Sequence, residues 1–212
     1  MSILDLLSET LIVPIVVLHK PENAARLGDA LVEGGLPQAE IAFRSDGASE
    51  IVRTLASRGD MLVGAGTVVT VDQVDAAVEA GAQYIASPGV SLPVLERAAE
   101  LGIPAIPGAA TATEVISVLD LGYSTIKLFP AAAMGGVSGV KLLGEAFPGV
   151  DFIPAGGVGA AHIRDYLSLR SVLCVGGSWM VPGQALGRED FKEVRDRSAH
   201  AVRLAKSAKR KR

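Results

Sequence analysis

Residues 61–86 read MLVGAGTVVTVDQVDAAVEAGAQYIA, and this stretch holds one complete repeat of the pattern that organises the chain. Met61-Leu-Val-Gly64 is a short apolar run with the length of a buried strand. Thr70-Val-Asp-Gln73 has the spacing in which a hydroxyl and a side-chain amide cap each other's backbone N–H groups, so a helix starts there. Ala80-Gly81 ends that helix, because glycine reaches the left-handed conformation that closes one. Tyr84-Ile-Ala86 is then the next strand, and strands alternating with helices build a parallel sheet.

The same punctuation extends in both directions. Thr111-Ala-Thr-Glu114 is a second capping box, and Pro21 sits just inside the start of the first helix. Glycines close further helices at Glu33-Gly-Gly35, Leu101-Gly102 and Leu121-Gly122. The strand candidates are Ile12–Leu18, Ala39–Phe43, Met61–Gly64, Tyr84–Ala86, Pro104–Ile106, Thr125–Phe129, Asp151–Pro154 and Val172–Val175. They recur every 20 to 26 residues or so, the repeat of compact βα units, and eight such units close a barrel. The expected fold is α/β, a (β/α)8 TIM barrel in one domain over residues 1–205, because no linker or charge block divides the chain. Residues 206–212 are expected to be a basic, solvated, flexible tail. An open doubly wound sheet is the competing arrangement; its usual Gly-x-Gly-x-x-Gly fingerprint is missing after the first strand.

Hydrophobic residues make up 49% of the chain but aromatics only 4%, so the core is built from Ala, Val, Leu and Ile, as close-packed parallel strands require. A net charge of -3 gives no field for a nucleic acid or an anionic membrane. The single cysteine, Cys174, excludes an intramolecular disulfide. The apolar run Leu11–Leu18 is too short to span a bilayer and follows an acidic segment, unlike a secretory signal; a cytoplasmic protein is expected.

In a barrel, chemistry gathers at the C-terminal ends of the strands. Thr125-Ile-Lys127-Leu-Phe129-Pro130 sets a lysine inside an apolar strand, opposite Ile126 and Leu128 by the two-residue period. If those two face the helices, Lys127 faces the interior, where desolvation increases the share of nucleophilic free amine. The other reading is a lysine snorkelling to solvent from the strand end. Glu40 and Arg44 alternate onto one face of their strand, pointing inward as an acid/base beside the amine and a fork for a carboxylate, or as a structural ion pair. Thr67, after Gly64-Ala-Gly66, is either a donor to a carboxylate or an ordinary turn residue. Gly156-Gly157 after the seventh strand and Gly177-Ser178 after the eighth open towards helices, where barrels commonly hold phosphate. His19, His162 and His200 are scattered, so no metal is expected, and no Gly-x-Ser-x-Gly nucleophile motif occurs.

Taken together, Glu40-Ile-Ala-Phe-Arg44, Gly64-Ala-Gly-Thr67-Val, Ser87-Pro88-Gly89, Ile106-Pro-Gly108, Ile126-Lys127-Leu-Phe129-Pro130, Ala155-Gly-Gly157 and Ser171-Val-Leu-Cys-Val-Gly-Gly-Ser178-Trp179 resemble the class I 2-keto-3-deoxy-6-phosphogluconate (KDPG) / 4-hydroxy-2-oxoglutarate (KHG) aldolases, from about Leu11 to Leu204. The resemblance implies Lys127 as the Schiff-base lysine and Glu40 as general acid/base. It implies Arg44 and Thr67 on the keto-acid carboxylate, Pro88 and Phe129 lining the pocket, and Gly156, Gly157, Gly177 and Ser178 on phosphate. It further implies a homotrimer, no cofactor, a phosphorylated keto acid and pyruvate as ligands, and cleavage of KDPG to pyruvate and glyceraldehyde 3-phosphate, with KHG as a second substrate. Ala155 stands where such enzymes often carry threonine, and Ala132 and Ala133 replace a more polar pair, which leaves the C4-epimeric 2-keto-3-deoxy-6-phosphogalactonate as an alternative. A phosphosugar isomerase without imine chemistry is the other alternative.

Overall fold

In the computed structural model, which describes residues 2–208, the capping boxes form as the sequence spells them. Thr70 and Gln73 open α4 (Val71–Glu79), and Thr111 and Glu114 open α6 (Ala112–Asp120). The other long helices on the outside are α2 (Ala24–Glu33), α3 (Ala48–Ala56), α5 (Leu92–Glu100), α7 (Gly136–Ala146) and α10 (Phe191–Ala208); α8 (Ile163–Leu167) and α9 (Gly183–Gly187) are short. Helix α10 carries the chain three residues into the basic stretch expected as a tail, and residues 209–212 lie outside the described residues.

All the strand pairings are parallel. One six-stranded sheet runs β5 (Ala105–Ile106), β4 (Tyr84–Ala86), β3 (Leu62–Gly66), β2 (Gln38–Ala42), β1 (Ile12–Val16), β9 (Val175–Gly177), and a three-stranded sheet runs β6 (Gly108–Ala109), β7 (Thr125–Leu128), β8 (Asp151–Pro154). The fifth expected strand, Pro104–Ile106, is present as β5, and β6 is an unexpected short strand beyond Pro107, which has no N–H for a ladder although its carbonyl still accepts from Lys127 N at 2.9 Å. The eighth is displaced towards its C-terminal end: Val172 makes an isolated bridge to Phe152, and pairing with β1 begins only at Val175. An apolar run marks a strand but does not fix its register.

Alternate side chains of the strands separate into two cores. Ile12, Ile41, Val63, Ile85, Ile126, Leu128 and Phe152 pack outward among the helices. Val13, Leu62, Tyr84, Ala86, Ile106, Ile153 and Leu173 form an inner cluster drawn from both sheets. That cluster is closed from below by α1 (Ile3–Thr10), a helix the strand-based sequence reading does not contain. Ser2 and Asp5 cap it reciprocally, and Leu7, fully buried, enters the inner core while Ile3, Leu4 and Leu6 pack beside it. Gln38 fastens the base of β2 to this junction by donating to Thr10 Oγ1 and the Ile12 carbonyl.

At the opposite end, Glu189 joins α9 to α10 and accepts from Lys20 Nζ at 2.7 Å and Arg26 Nη1 at 2.9 Å. The Arg26 guanidinium lies 4.5 Å from the centre of the Phe191 ring. The Lys20 ammonium first, then the neighbouring Asn23 and Arg26 side chains, hold the Glu189 carboxyl at about 2, below its usual 4.5.

Two consequences are measurable. Leu7→Ala leaves a void under the inner core and is expected to cost about 2–5 kcal/mol in urea unfolding; a loss below about 1 kcal/mol would mean that α1 is not part of the core. Because the folded-state pKa of Glu189 is depressed, its contribution is complete above the unfolded value and fades as pH falls towards about 2. The small melting-temperature gap between wild type and Glu189→Gln should therefore narrow as the buffer is taken from about pH 6 to pH 3, and a widening gap would contradict the assignment.

Candidate active site

Lys127 occupies the middle of β7, with Ile126 and Leu128 in the helix-facing core on either side of it. Its own side chain turns to the other face and is 6% exposed. Glu40, at the middle of β2 and 4% exposed, meets it there: Lys127 Nζ donates to Glu40 Oε1 at 2.5 Å. A partner 87 residues away in the chain thus lies across the interior from the lysine. Burying this pair carries a desolvation cost that well-packed apolar side chains would avoid, so fold stability does not account for it.

Space for the carboxylate comes from β3. Glu40 pairs in register with Gly64, which pairs with Tyr84. A Cβ at Gly66 would overlap the Glu40 carboxylate, and one at Gly64 would overlap the Tyr84 ring. The two missing side chains of Gly64-Ala-Gly66 thus accommodate Glu40 and Tyr84. Burial, with smaller effects of Glu40 and Cys174, pushes the Tyr84 phenol well above its ordinary range, so it stays neutral. Burial likewise pushes the Cys174 thiol up, which makes it inert. Tyr84 was missed in the sequence because its place beside Glu40 follows from cross-strand register, not from its own strand.

Arg44 lies past the end of the alternating ladder. β2 ends at Ala42, and Arg44 stands beyond it in an exposed turn, without an ion pair among the described residues. The two-residue period cannot assign it a face where the chain has left the sheet. Thr67 directly follows β3 in a left-handed conformation, φ 57°, half-buried, with its hydroxyl unbonded among the described residues. Gln73 ties the Arg44 turn to the segment that follows Thr67: its Nε2 donates to the Phe43 carbonyl at 2.9 Å and its Oε1 accepts from Val69 N and Thr70 N.

Around the rim, Pro88 is half-buried, and its carbonyl passes so close to Gly108 that a Cβ there would overlap it. Phe129 is 38% exposed and lies over Gly156, where an added Cβ would meet its ring at 2.9 Å. Gly156 and Gly157 have φ of 86° and 75°, open to glycine at no steric cost. Their loop is tied to the β7–α7 connection through Ala131 N to Ala155 O, 2.7 Å, and Ala132 N to Gly156 O, 3.0 Å. The amides of Gly156, Gly157 and Ser178 donate to no acceptor among the described residues. Gly177 is engaged in β9 opposite Pro14, with the Trp179 ring against it, and Ser178 is exposed. Neither glycine pair opens directly onto a helix as expected. α8 follows a 3-10 turn at Ala160–His162, and α9 begins behind Pro182, so an anion here would meet loop amides rather than a helix end.

Among the described residues no three His, Cys, Asp or Glu side chains gather as a metal site, and no helix is long and apolar enough to cross a membrane.

A family model described as KDPG and KHG aldolase matches residues 3–197. The chain is 41% identical to the KHG/KDPG aldolase of Escherichia coli (strain K12) over 196 residues, covering 92% of each protein. Among solved structures it resembles the KDPG aldolase of Legionella pneumophila with pyruvate captured as a covalent carbinolamine intermediate: TM-score 0.87, 35% identity, 92% of this chain and 97% of that one. It also resembles the 2-keto-3-deoxy-6-phosphogluconate aldolase of Zymomonas mobilis ZM4 with 3-phosphoglycerate: TM-score 0.88, 33% identity, 94% and 95% coverage. With a match that runs across nearly all of the chain and a relative this similar in sequence, the chain belongs to the KDPG and KHG aldolase family.

Proposed function

We propose that this protein is a class I aldolase that cleaves KDPG to pyruvate and glyceraldehyde 3-phosphate through an imine on Lys127, with KHG, cleaved to pyruvate and glyoxylate, as a second substrate. The observation that carries the reading is the buried Lys127–Glu40 contact at 2.5 Å, in a chain of this family. Passing one proton across it gives a free amine and a carboxylic acid side by side. The amine attacks the C2 ketone, Glu40 relays a proton from nitrogen to oxygen to form the carbinolamine, and it then gives its own proton to the departing hydroxyl, leaving water, a protonated imine and the Glu40 carboxylate. Glu40 then takes the proton of the C4 hydroxyl; the C3–C4 bond breaks, its electrons pass into the enamine, and the aldehyde leaves. Protonation of the enamine at C3 and hydrolysis of the resulting imine release pyruvate and restore Lys127. The protonated imine is itself the electron sink, so no cofactor enters the scheme.

Arg44 and Thr67 are proposed to hold the C1 carboxylate, an assignment supported by the unpaired guanidinium and unbonded hydroxyl on two joined turns. Pro88 and Phe129 flank the substrate. Phosphate falls to the free amides of Gly156, Gly157 and Ser178 and to the Ser178 hydroxyl, with Gly177 giving room. Binding energy at that distant end orients C4 over Glu40 without entering the chemistry. Fully buried Ala155 offers no hydroxyl to the C4 group, which favours tolerance of the C4-epimeric sugar acid as a second reading.

We read the two sheets as one closed (β/α)8 barrel and one domain over residues 1–205. β5 and β6 are then halves of one strand around Pro107, and the Phe152–Val172 bridge joins β8 to the segment entering β9. A homotrimer is the proposed assembly, and exposed Val69, Leu92 and Ile116 supply apolar surface for it.

Incubation with pyruvate and borohydride should leave a reduced pyruvyl adduct on the peptide carrying Lys127, and Lys127→Ala should lower turnover by about 10⁴-fold or more. A folded protein that yields no adduct moves the reading to an isomerase without imine chemistry. Ser178→Ala should lower kcat/KM for KDPG about tenfold while leaving KHG, which has no phosphate, little changed. Equal losses on both substrates would remove Ser178 from the phosphate site.

A further inference from the structure

Gln73 does more than cap a helix. Its Oε1 accepts from Val69 N at 2.7 Å and Thr70 N at 3.3 Å, while Thr70 Oγ1 accepts from Gln73 N at 3.3 Å. At the start of α6 a carboxylate does the same work: Glu114 Oε2 accepts from Ala110 N and Thr111 N at 2.7 and 2.9 Å. Capping therefore does not require an amide, and an acid in the first turn is the better partner for the helix dipole. What the amide adds is a donor, and Nε2 spends it on the Phe43 carbonyl in a different turn.

Phe43 is held from two sides. Its carbonyl accepts from Gln73, and its N–H donates to the Gly66 carbonyl at 2.7 Å. Arg44 is the next residue after Phe43, and Thr67 the next after Gly66. Since the Arg44 side chain has no ion pair among the described residues, the backbone of this turn sets where its guanidinium starts. We infer that Gln73 is a positioning residue that locks the Arg44 and Thr67 turns into one geometry and thereby sets affinity for the keto-acid carboxylate. The inference rests on the aldolase reading and its assignment of Arg44 and Thr67.

Two substitutions separate the bridge from the cap. Gln73→Glu keeps an acceptor for Val69 and Thr70, loses the donor and sets a carboxylate oxygen against the Phe43 carbonyl. It is expected to raise KM for KDPG, and the pyruvate concentration for half-maximal borohydride trapping, about tenfold, with kcat within about twofold and melting temperature within about 4 °C of wild type. Thr70→Ala removes the cap hydroxyl and keeps the bridge; it should lower the melting temperature by about 2–4 °C and leave KM unchanged. A wild-type KM in Gln73→Glu overturns the inference, as does an equal rise in KM in Thr70→Ala or a kcat loss in Gln73→Glu that parallels a fall in melting temperature. Wild-type protein that traps no pyruvate on Lys127 overturns the aldolase reading and this inference with it; trapping with an unchanged KM in Gln73→Glu overturns this inference alone.

Discussion

An ammonium and a carboxylate buried against each other impose the strongest demand in this molecule. Lys127 and Glu40 are both almost fully buried, so each depends on the other, and the surroundings must hold them at contact. The demand propagates through the sheets. β2 and β7 must present their central residues to one interior, which fixes Ile41, Ile126 and Leu128 on the helix side. The interior beneath the pair must be filled with apolar side chains, and the inner cluster closed by α1 fills it. A core stabilised by aliphatic packing alone would have no use for the pair, whose burial is a cost that packing does not repay.

The parts of the fold legible in the sequence were those written in short-range chemistry. Capping boxes at Thr70 and Thr111 specify helix starts because both partners lie within one turn, and they form as spelled. Strand existence was equally plain, whereas strand limits were not. β3 runs on to Gly66, since its neighbours impose the ladder on glycines that have little strand preference of their own, and past the fifth strand the unexpected β6 begins just after Pro107, which has no donor to give. α1 went unassigned because eight residues capped by Ser2 and Asp5 make a weak local signal, and what fixes the helix is the inner core that Leu7 enters.

In the site, the two-residue period sufficed for Glu40 and Lys127 because both lie mid-strand, where alternation is enforced by pairing on each side. It does not extend to Arg44, two residues past the last paired position, where no ladder enforces a face. Tyr84 and Gln73 were out of reach for a different reason. The one acquires its neighbours through register across β3, and the other reaches from α4 to a carbonyl 30 residues earlier in the chain. No pattern confined to one element contains either relation.

The glycines of β3 bring these strands of argument together. Two large side chains, Glu40 from β2 and Tyr84 from β4, lean towards the same strip of interior from opposite sides, and a side chain of any size at position 64 or 66 would overlap one of them. The strand between them therefore gives up side-chain packing at two interior positions, keeping only Leu62 in the inner cluster, and depends on its neighbours for its place in the sheet. That sacrifice admits the carboxylate to the level of the lysine, while Ala65, between the two glycines, still packs among the helices. The sequence Gly64-Ala-Gly66 is thus the complement of Glu40 and Tyr84, and the reach of Glu40 to Lys127 depends on an absence of side chains one strand away.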